Sequence, residues 1–284
     1  MAQRRVRPDS EQRAASPAAA GRSGGQGARG GSPARARGSG TRGTGGTRGT
    51  GASAGEIATG ATGAIADRGG RGAATTGARD VRLSQFSVET PHGAAEVQLD
   101  LPPRARGLLA LGHGASGSVD APDLVAVRDA AVQLRLAVAR ITQPYRVQGR
   151  RAPAPATQLD AAWRAAVTEA RQRVGASLPL VVGGRSAGAR VAARTAAELG
   201  AVGVLALAFP LHPPGKPESS RAGELDPARP TLIVNGDKDP FGVPTPSGEV
   251  VVVVRPGERH DLRRDPTGVA EVVGTWLVGL LEGG

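Results

Sequence analysis

Cysteine is absent from the 284 residues. Disulfides, thiolate metal sites and a cysteine nucleophile are therefore excluded. A chain without disulfides suits the cytoplasm, which is the expected compartment. Aromatic residues make up only 2% of the chain, so any core must be built from Ala, Val and Leu. No apolar run approaches the roughly 18–20 residues that span a bilayer, and no membrane partner is expected. Arg4-Arg5 is a twin arginine, but no apolar segment follows it, so a signal peptide is not expected. The four histidines are not at ligand spacing. Neither a metal nor another cofactor is expected.

What the chain has in excess is positive charge and glycine, both unevenly placed. The formal net charge is +11, yet residues 1–80 hold 13 arginines against five acidic residues, or +8 of that total. The remainder is nearly balanced. Residues 1–80 are of low complexity, with GSGTRGTGGTRGTG over 38–51. Such a stretch cannot bury enough apolar area to offset its backbone entropy, and its composition predicts disorder. It reads as a tether to nucleic acid, as a solvated tail, or as a stretch upstream of the true start. No aromatic interleaves the arginines, which argues against base stacking and makes a nucleic-acid partner an unfavoured expectation.

From Val81 the pattern changes. Leu83–Val88 and Ala95–Leu99 alternate around a Thr90-Pro-His-Gly93 turn, as a β-hairpin does. Short apolar runs follow at Gly107–Leu111, Leu136–Thr142, Leu178–Val182, Val202–Ala208, Thr231–Val234 and Val250–Val254. Runs without alternation are buried on both faces. Helical spacing covers Asp123–Arg135, Leu159–Val174, Ala187–Leu199 and Pro266–Leu281. The order predicts one α/β domain over 81–284, a mostly parallel sheet flanked by helices, with no large lid and preceded by the disordered tail. Ligands of such sheets gather at the carboxyl ends of the strands.

The chemistry-bearing motifs fall at those ends. Gly184-Arg-Ser-Ala-Gly188 follows an apolar strand and opens an Ala-rich helix. A sharp strand-to-helix turn lifts the Ser186 hydroxyl above the sheet, and flanking glycines relieve the crowding. The plainer reading is a glycine-rich turn with Ser186 as an ordinary helix cap. A serine needs a base. In sheet enzymes with this turn the chain order is serine, acid, histidine. Only His212 and His260 follow Ser186, and only His260 leaves room for an acid after the penultimate strand. Asp237 and Asp239 of Asn235-Gly-Asp-Lys-Asp-Pro240 both qualify; Asp239 is preferred, with Asp237 as the alternative. An oxyanion site needs two amides. Ala187 supplies one, and the loop Gly112-His-Gly-Ala-Ser-Gly117 supplies the other through Ala115. His113, Arg185 and His212 are candidates to line the substrate site. Arg185 could contact an acidic substrate, but an arginine so placed more often pairs with a neighbouring carboxylate and has no ligand role. Asp120 and Asp123 are expected to cap the next helix.

GHGASG, GGRSAG with Arg190, FPLHPPGKP, NGDKDPFG and ERHDL, in that order, resemble the α/β-hydrolase superfamily. The group they are most similar to is that of small dienelactone-hydrolase-like proteins related to the hydrolase-like domain of a subunit of the NSL chromatin complex. The resemblance covers Gly107 to the C-terminus. Elbows of that group often read GRSMGGR. Here Ala187 stands for the Met and Ala189 for the second Gly, while Gly184, Ser186 and Gly188 are kept. Phe209–Pro217 is the segment most distinctive of the group. It reads either as a substrate-lining loop, with His212 or Lys216 facing the site, or as a proline-stiffened loop packed over the sheet edge.

Two functions are consistent with this pattern. One is a serine hydrolase that cleaves a small ester-like substrate, with Ser186, His260 and Asp239 as its triad. The other is a catalytically silent binding or scaffold protein on the same fold, since fold alone does not imply turnover. A complete set of nucleophile, base, acid and oxyanion loop favours the enzyme.

Overall fold

The computed structural model describes residues 80–283. The Arg/Gly-rich stretch expected to be disordered lies outside these residues, apart from Asp80. The described chain opens with an antiparallel hairpin, β1 (Arg82–Val88) and β2 (Ala95–Leu101), as its alternating pattern predicts. It continues through β3 (Leu108–Gly112), α1 (Pro122–Gln133), β4 (Ala137–Thr142) and a single turn α2 (Pro144–Val147). Then come α3 (Ala156–Val174), β5 (Leu180–Arg185), α4 (Ala187–Thr195), β6 (Gly203–Leu207), β7 (Thr231–Gly236), β8 (Val250–Arg255) and α5 (Pro266–Glu282). A lone 3₁₀ turn, Ala222–Glu224, sits between β6 and β7.

The strands form one sheet in the order β1-β2-β4-β3-β5-β6-β7-β8. Pairing is antiparallel from β1 to β2 and from β2 to β4, and parallel from there to β8. The central strands are covered on both sides, which is why their sequences run apolar without alternation. Along β3, Leu108 and Ala110 point to one layer and Leu109 and Leu111 to the other. The first layer is α3 and α4, with Trp163, Ala166, Val167, Val191 and Ala192 buried. The second is α1 and α5, with Leu124, Val127, Val269, Val273 and Leu277 buried. Small residues dominate, and Trp163 is the largest fully buried side chain. It fits because Gly112 leaves room: a Cβ there would stand 3.2 Å from the indole.

Two local expectations fail. Pro122 begins α1 one residue earlier than the pattern suggests, and the cap position falls on Ala121, which offers no side-chain acceptor. Asp123 therefore does not cap the helix but is fully buried inside it. Asp120 does not cap either; it pairs with Arg140 at 2.7 Å. The turn α2 falls in the stretch Gln143–Pro155, where arginine and proline leave no periodic pattern.

The loops at the carboxyl ends of β3, β5, β7 and β8 lie side by side because those strands are close neighbours in the sheet. No helix among the described residues is long and apolar enough to cross a membrane.

Candidate active site

Ser186 is the single residue between β5 and α4. Its φ of 54° and ψ of −110° lie outside the regions an L-residue favours, a strain of about 1–3 kcal/mol that surrounding structure must hold. Its amide donates to Leu207 O at 2.9 Å, fixing the turn to β6. Glycines make the turn possible. A Cβ at Gly188 would come within 2.5 Å of the Gly112 backbone, so α4 can approach β3 only without one. Gly184, at φ 153°, takes a conformation that side chains disfavour.

His260 lies five residues beyond β8. Its Nε2 is 2.8 Å from Ser186 Oγ, and its Nδ1 is 2.8 Å from Asp239 Oδ2. Asp239, whose side chain is fully buried, also accepts from the Phe241 amide at 2.9 Å. The Phe241 ring stacks on the imidazole, with centroids 4.1 Å apart. Asp237, the alternative acid, is exposed and turns the other way, accepting from the Gly257 amide at 2.7 Å. The structure thus brings Asp239, not Asp237, to His260.

Residues not singled out in the sequence hold this arrangement. Asn235, fully buried at the end of β7, accepts from Phe209 N and donates to Phe209 O and Gly242 O at 2.9–3.2 Å. Its Nδ2 also stands 3.4 Å from Asp239 Oδ2. Glu258, buried, accepts from the Asp265 and Arg264 amides and so closes the loop carrying His260. Lys238 N donates to Glu258 O at 3.0 Å, tying the acid loop to the base loop. A polar residue at the end of an apolar strand was the available signal for Asn235.

The two candidate oxyanion amides flank the serine. Ala187 is the first residue of α4, and its N–H has no partner within the helix. Ala115 follows β3 in a loop that abuts Ser186: a Cβ on Gly114 would be 3.7 Å from the Ser186 Cβ. His113 braces that loop. Its Nε2 accepts from Gln143 N at 3.0 Å, so the proton sits on Nδ1, which donates to Gly114 O at 2.7 Å. Gly117 N donates to the same oxygen at 3.0 Å. The Gly114 carbonyl and the Ala115 N–H share one planar peptide, so holding the oxygen also aims the amide. Tyr145 OH adds a bond to Ala115 O at 2.5 Å. Burial, with the nearby charge of Arg146, lowers the His113 pKa, and burial raises that of Tyr145 to about 12. With both ring nitrogens engaged, His113 has none left for a substrate.

Arg185 does not stand free beside the serine; its Nε lies 3.5 Å from Asp123 Oδ2. His212 packs against Gly242 in the acid loop, and its own amide donates to Phe241 O. Phe209, which opens the FPLHPPGKP segment, is fully buried and pinned to Asn235, whereas Lys216 at its far end is exposed. Among the described residues no three His, Asp or Glu side chains cluster as a metal site would require.

The profile of a family described as the alpha/beta hydrolase domain matches residues 105–251. The chain belongs to this family. Solved structures share its fold. An a/b serine hydrolase without lid from Xanthomonas campestris is 19% identical, covering 69% of this chain and 94% of its own, with a TM-score of 0.57. A dienelactone hydrolase from Anabaena variabilis is 20% identical over 70% of this chain and 97% of its own, with a TM-score of 0.56. Est1E from Butyrivibrio proteoclasticus, solved with ferulic acid bound, is 17% identical over 69% of this chain and 99% of its own, with a TM-score of 0.58. At these identities the likeness is one of fold. No curated protein matches the sequence. None of these relatives bears on the resemblance to the chromatin-complex subunit.

Proposed function

We propose that this member of the family is a serine hydrolase acting on small ester-like substrates. The observation that carries this reading is the unbroken hydrogen-bonded line Asp239–His260–Ser186, with both links at 2.8 Å. It ends on a serine held at positive φ on a strand-to-helix turn.

In this mechanism His260 Nε2 removes the Ser186 proton as Oγ attacks the ester carbonyl. Asp239 keeps the Nδ1–H tautomer and stabilises the imidazolium. The Ala115 and Ala187 amides receive the developing oxyanion. His260 then returns the proton to the leaving alkoxide, and water repeats the cycle on the acyl-enzyme.

Among the described residues no separate lid is inserted between the strands: the two long connections, β4 to β5 and β6 to β7, carry only α2 with α3 and a lone 3₁₀ turn. That favours small or extended esters over long acyl chains, and the serine hydrolase named above as lacking a lid has the same general build. Turnover of p-nitrophenyl acetate and butyrate by the full chain, compared with Ser186→Ala, tests the reading. Hydrolysis abolished in the variant supports it. A rate in the wild type no higher than in the variant would leave a binding protein on a hydrolase fold.

A further inference from the structure

Phe241 touches both the acid and the base of the triad. Its amide donates to Asp239 Oδ1 at 2.9 Å. Its ring lies over the His260 imidazole, with centroids 4.1 Å apart and the planes 31° from parallel. No step of the mechanism uses this ring. The bonds from Asp239 and Ser186 fix the two imidazole nitrogens at 2.8 Å each. They resist tilting about the line between those nitrogens only weakly, and the χ2 torsion of histidine has broad minima of its own. A flat group held against one face does resist it. The His260 side chain keeps 20% of its exposure, whereas that of Asp239 is fully buried, so the base is the less enclosed of the two.

Phe241 is itself held from behind by the FPLHPPGKP segment. Its carbonyl accepts from the His212 amide at 3.0 Å, and the next residue, Gly242, donates its amide to Asp239 O at 3.2 Å. The His212 imidazole is anchored by its own bond from Nδ1 to Pro213 O at 2.9 Å. It lies so close to Gly242 that a Cβ there would overlap it. We propose that Phe241 is a positioning residue for the base. Its ring, set by the turn Asp239–Gly242 and backed by His212, keeps the imidazole in the orientation that joins Asp239 to Ser186. The inference rests on the hydrolase reading above, and it gives the FPLHPPGKP segment a task at the site. The rate effect follows from geometry, since displacing a reacting group by about 1 Å costs about a hundredfold.

The test compares the full chain with Phe241→Leu, which keeps apolar bulk without a flat face, and with Phe241→Tyr, which keeps the face. On p-nitrophenyl acetate, kcat should fall about tenfold or more in the Leu variant with KM within about twofold, and stay within about threefold of wild type in the Tyr variant. A side chain that only fills space gives no such split. A Leu variant as fast as wild type, or equal losses in Leu and Tyr, overturns the proposal. A second readout does not need turnover. The chain has only four histidines, so ¹⁵N NMR of the neutral imidazoles, with a His260→Gln spectrum for assignment, reports the tautomer of His260. The Nδ1–H form alone is expected in wild type and in Phe241→Tyr, and a mixture of the two tautomers in Phe241→Leu, where the ring swings out of its bonds. The same tautomer state in all three proteins overturns the positioning role. A wild type without turnover whose tautomer is fixed, lost in Leu and kept in Tyr retains that role and loses the hydrolase reading. Equal turnover in all three proteins does the reverse.

Discussion

The Nε2 of His260 stands 2.8 Å from the Oγ of Ser186, although 74 residues separate them in the chain. Parallel neighbours make the meeting possible: β5 delivers the serine, and β8, two strands beyond β6, delivers the histidine. The acid arrives from β7, between them. Two aspartates leave that strand, and their roles separate experimentally. Asp239→Asn should lower kcat by about ten-thousand-fold, as expected when the carboxylate that fixes the imidazole tautomer is lost. Asp237→Asn should stay within about twofold, because that side chain is exposed and serves a turn. Steady-state kinetics on an activated ester measures both, and the opposite ranking contradicts the assignment.

His113 allows a sharper test of the oxyanion loop. Asn at this position places an amide N–H near the site of Nδ1, whereas Gln places one near the site of Nε2. The bond that aims the Ala115 peptide is the one from Nδ1 to Gly114 O. His113→Asn should therefore keep kcat within about tenfold of wild type. His113→Gln should lose about a hundredfold, with KM little changed, as when an oxyanion donor is displaced. Equal losses in both variants would contradict the brace.

Asn235 joins the loop after β6 to the acid loop through its bonds to Phe209 and Gly242. Asn235→Ala leaves the Phe209 amide and carbonyl buried without these partners. The expected cost is about 2–4 kcal/mol in urea unfolding. Activity should fall as well, since Asp239 is carried by the same loop. A loss of stability below about 0.5 kcal/mol would show that the loops hold without it.

Asp123 gives the stability curve a definite sign. Burial raises its pKa from 3.8 to about 6, against the opposing pull of Arg185. The folded state thus holds this proton more tightly than the unfolded chain. The contribution is fully present below 3.8 and is lost as pH rises through about 6. It amounts to about 3 kcal/mol by linkage. Urea unfolding of wild type and Asp123→Asn at pH 4 to 7.5 isolates it. The difference between the two should change in the wild type's disfavour as pH rises, and a pH-independent difference contradicts the account.

Much of the fold was legible because the buried strands carry no alternation and the helices carry 3.6-residue spacing. The elbow was legible because Gly184 and Gly188 flank Ser186 between such a strand and such a helix. The acid was legible only as a pair. Asp237 and Asp239 differ by a turn in which Asp239 N bonds back to Gly236 O, and no residue pattern announces that turn. Asp123 reads as a cap because an acid near a helix start usually is one; with Pro122 opening the helix and Ala121 at the cap position, the carboxylate lies buried instead. The turn α2, four residues long, is too short to show a period. Yet it brings Tyr145 to the Ala115 carbonyl. The brace of His113 and the work of Asn235 depend on which strands are neighbours, which emerges only from the assembled sheet.

The most direct measurement is covalent. The full chain and its Ser186→Ala variant are incubated with a fluorophosphonate, and any adduct is located by mass spectrometry. A single adduct on Ser186, absent from the variant and slowed in His260→Ala, is the predicted result. A folded protein that takes up no label at Ser186 would contradict the claim that this serine is an activated nucleophile.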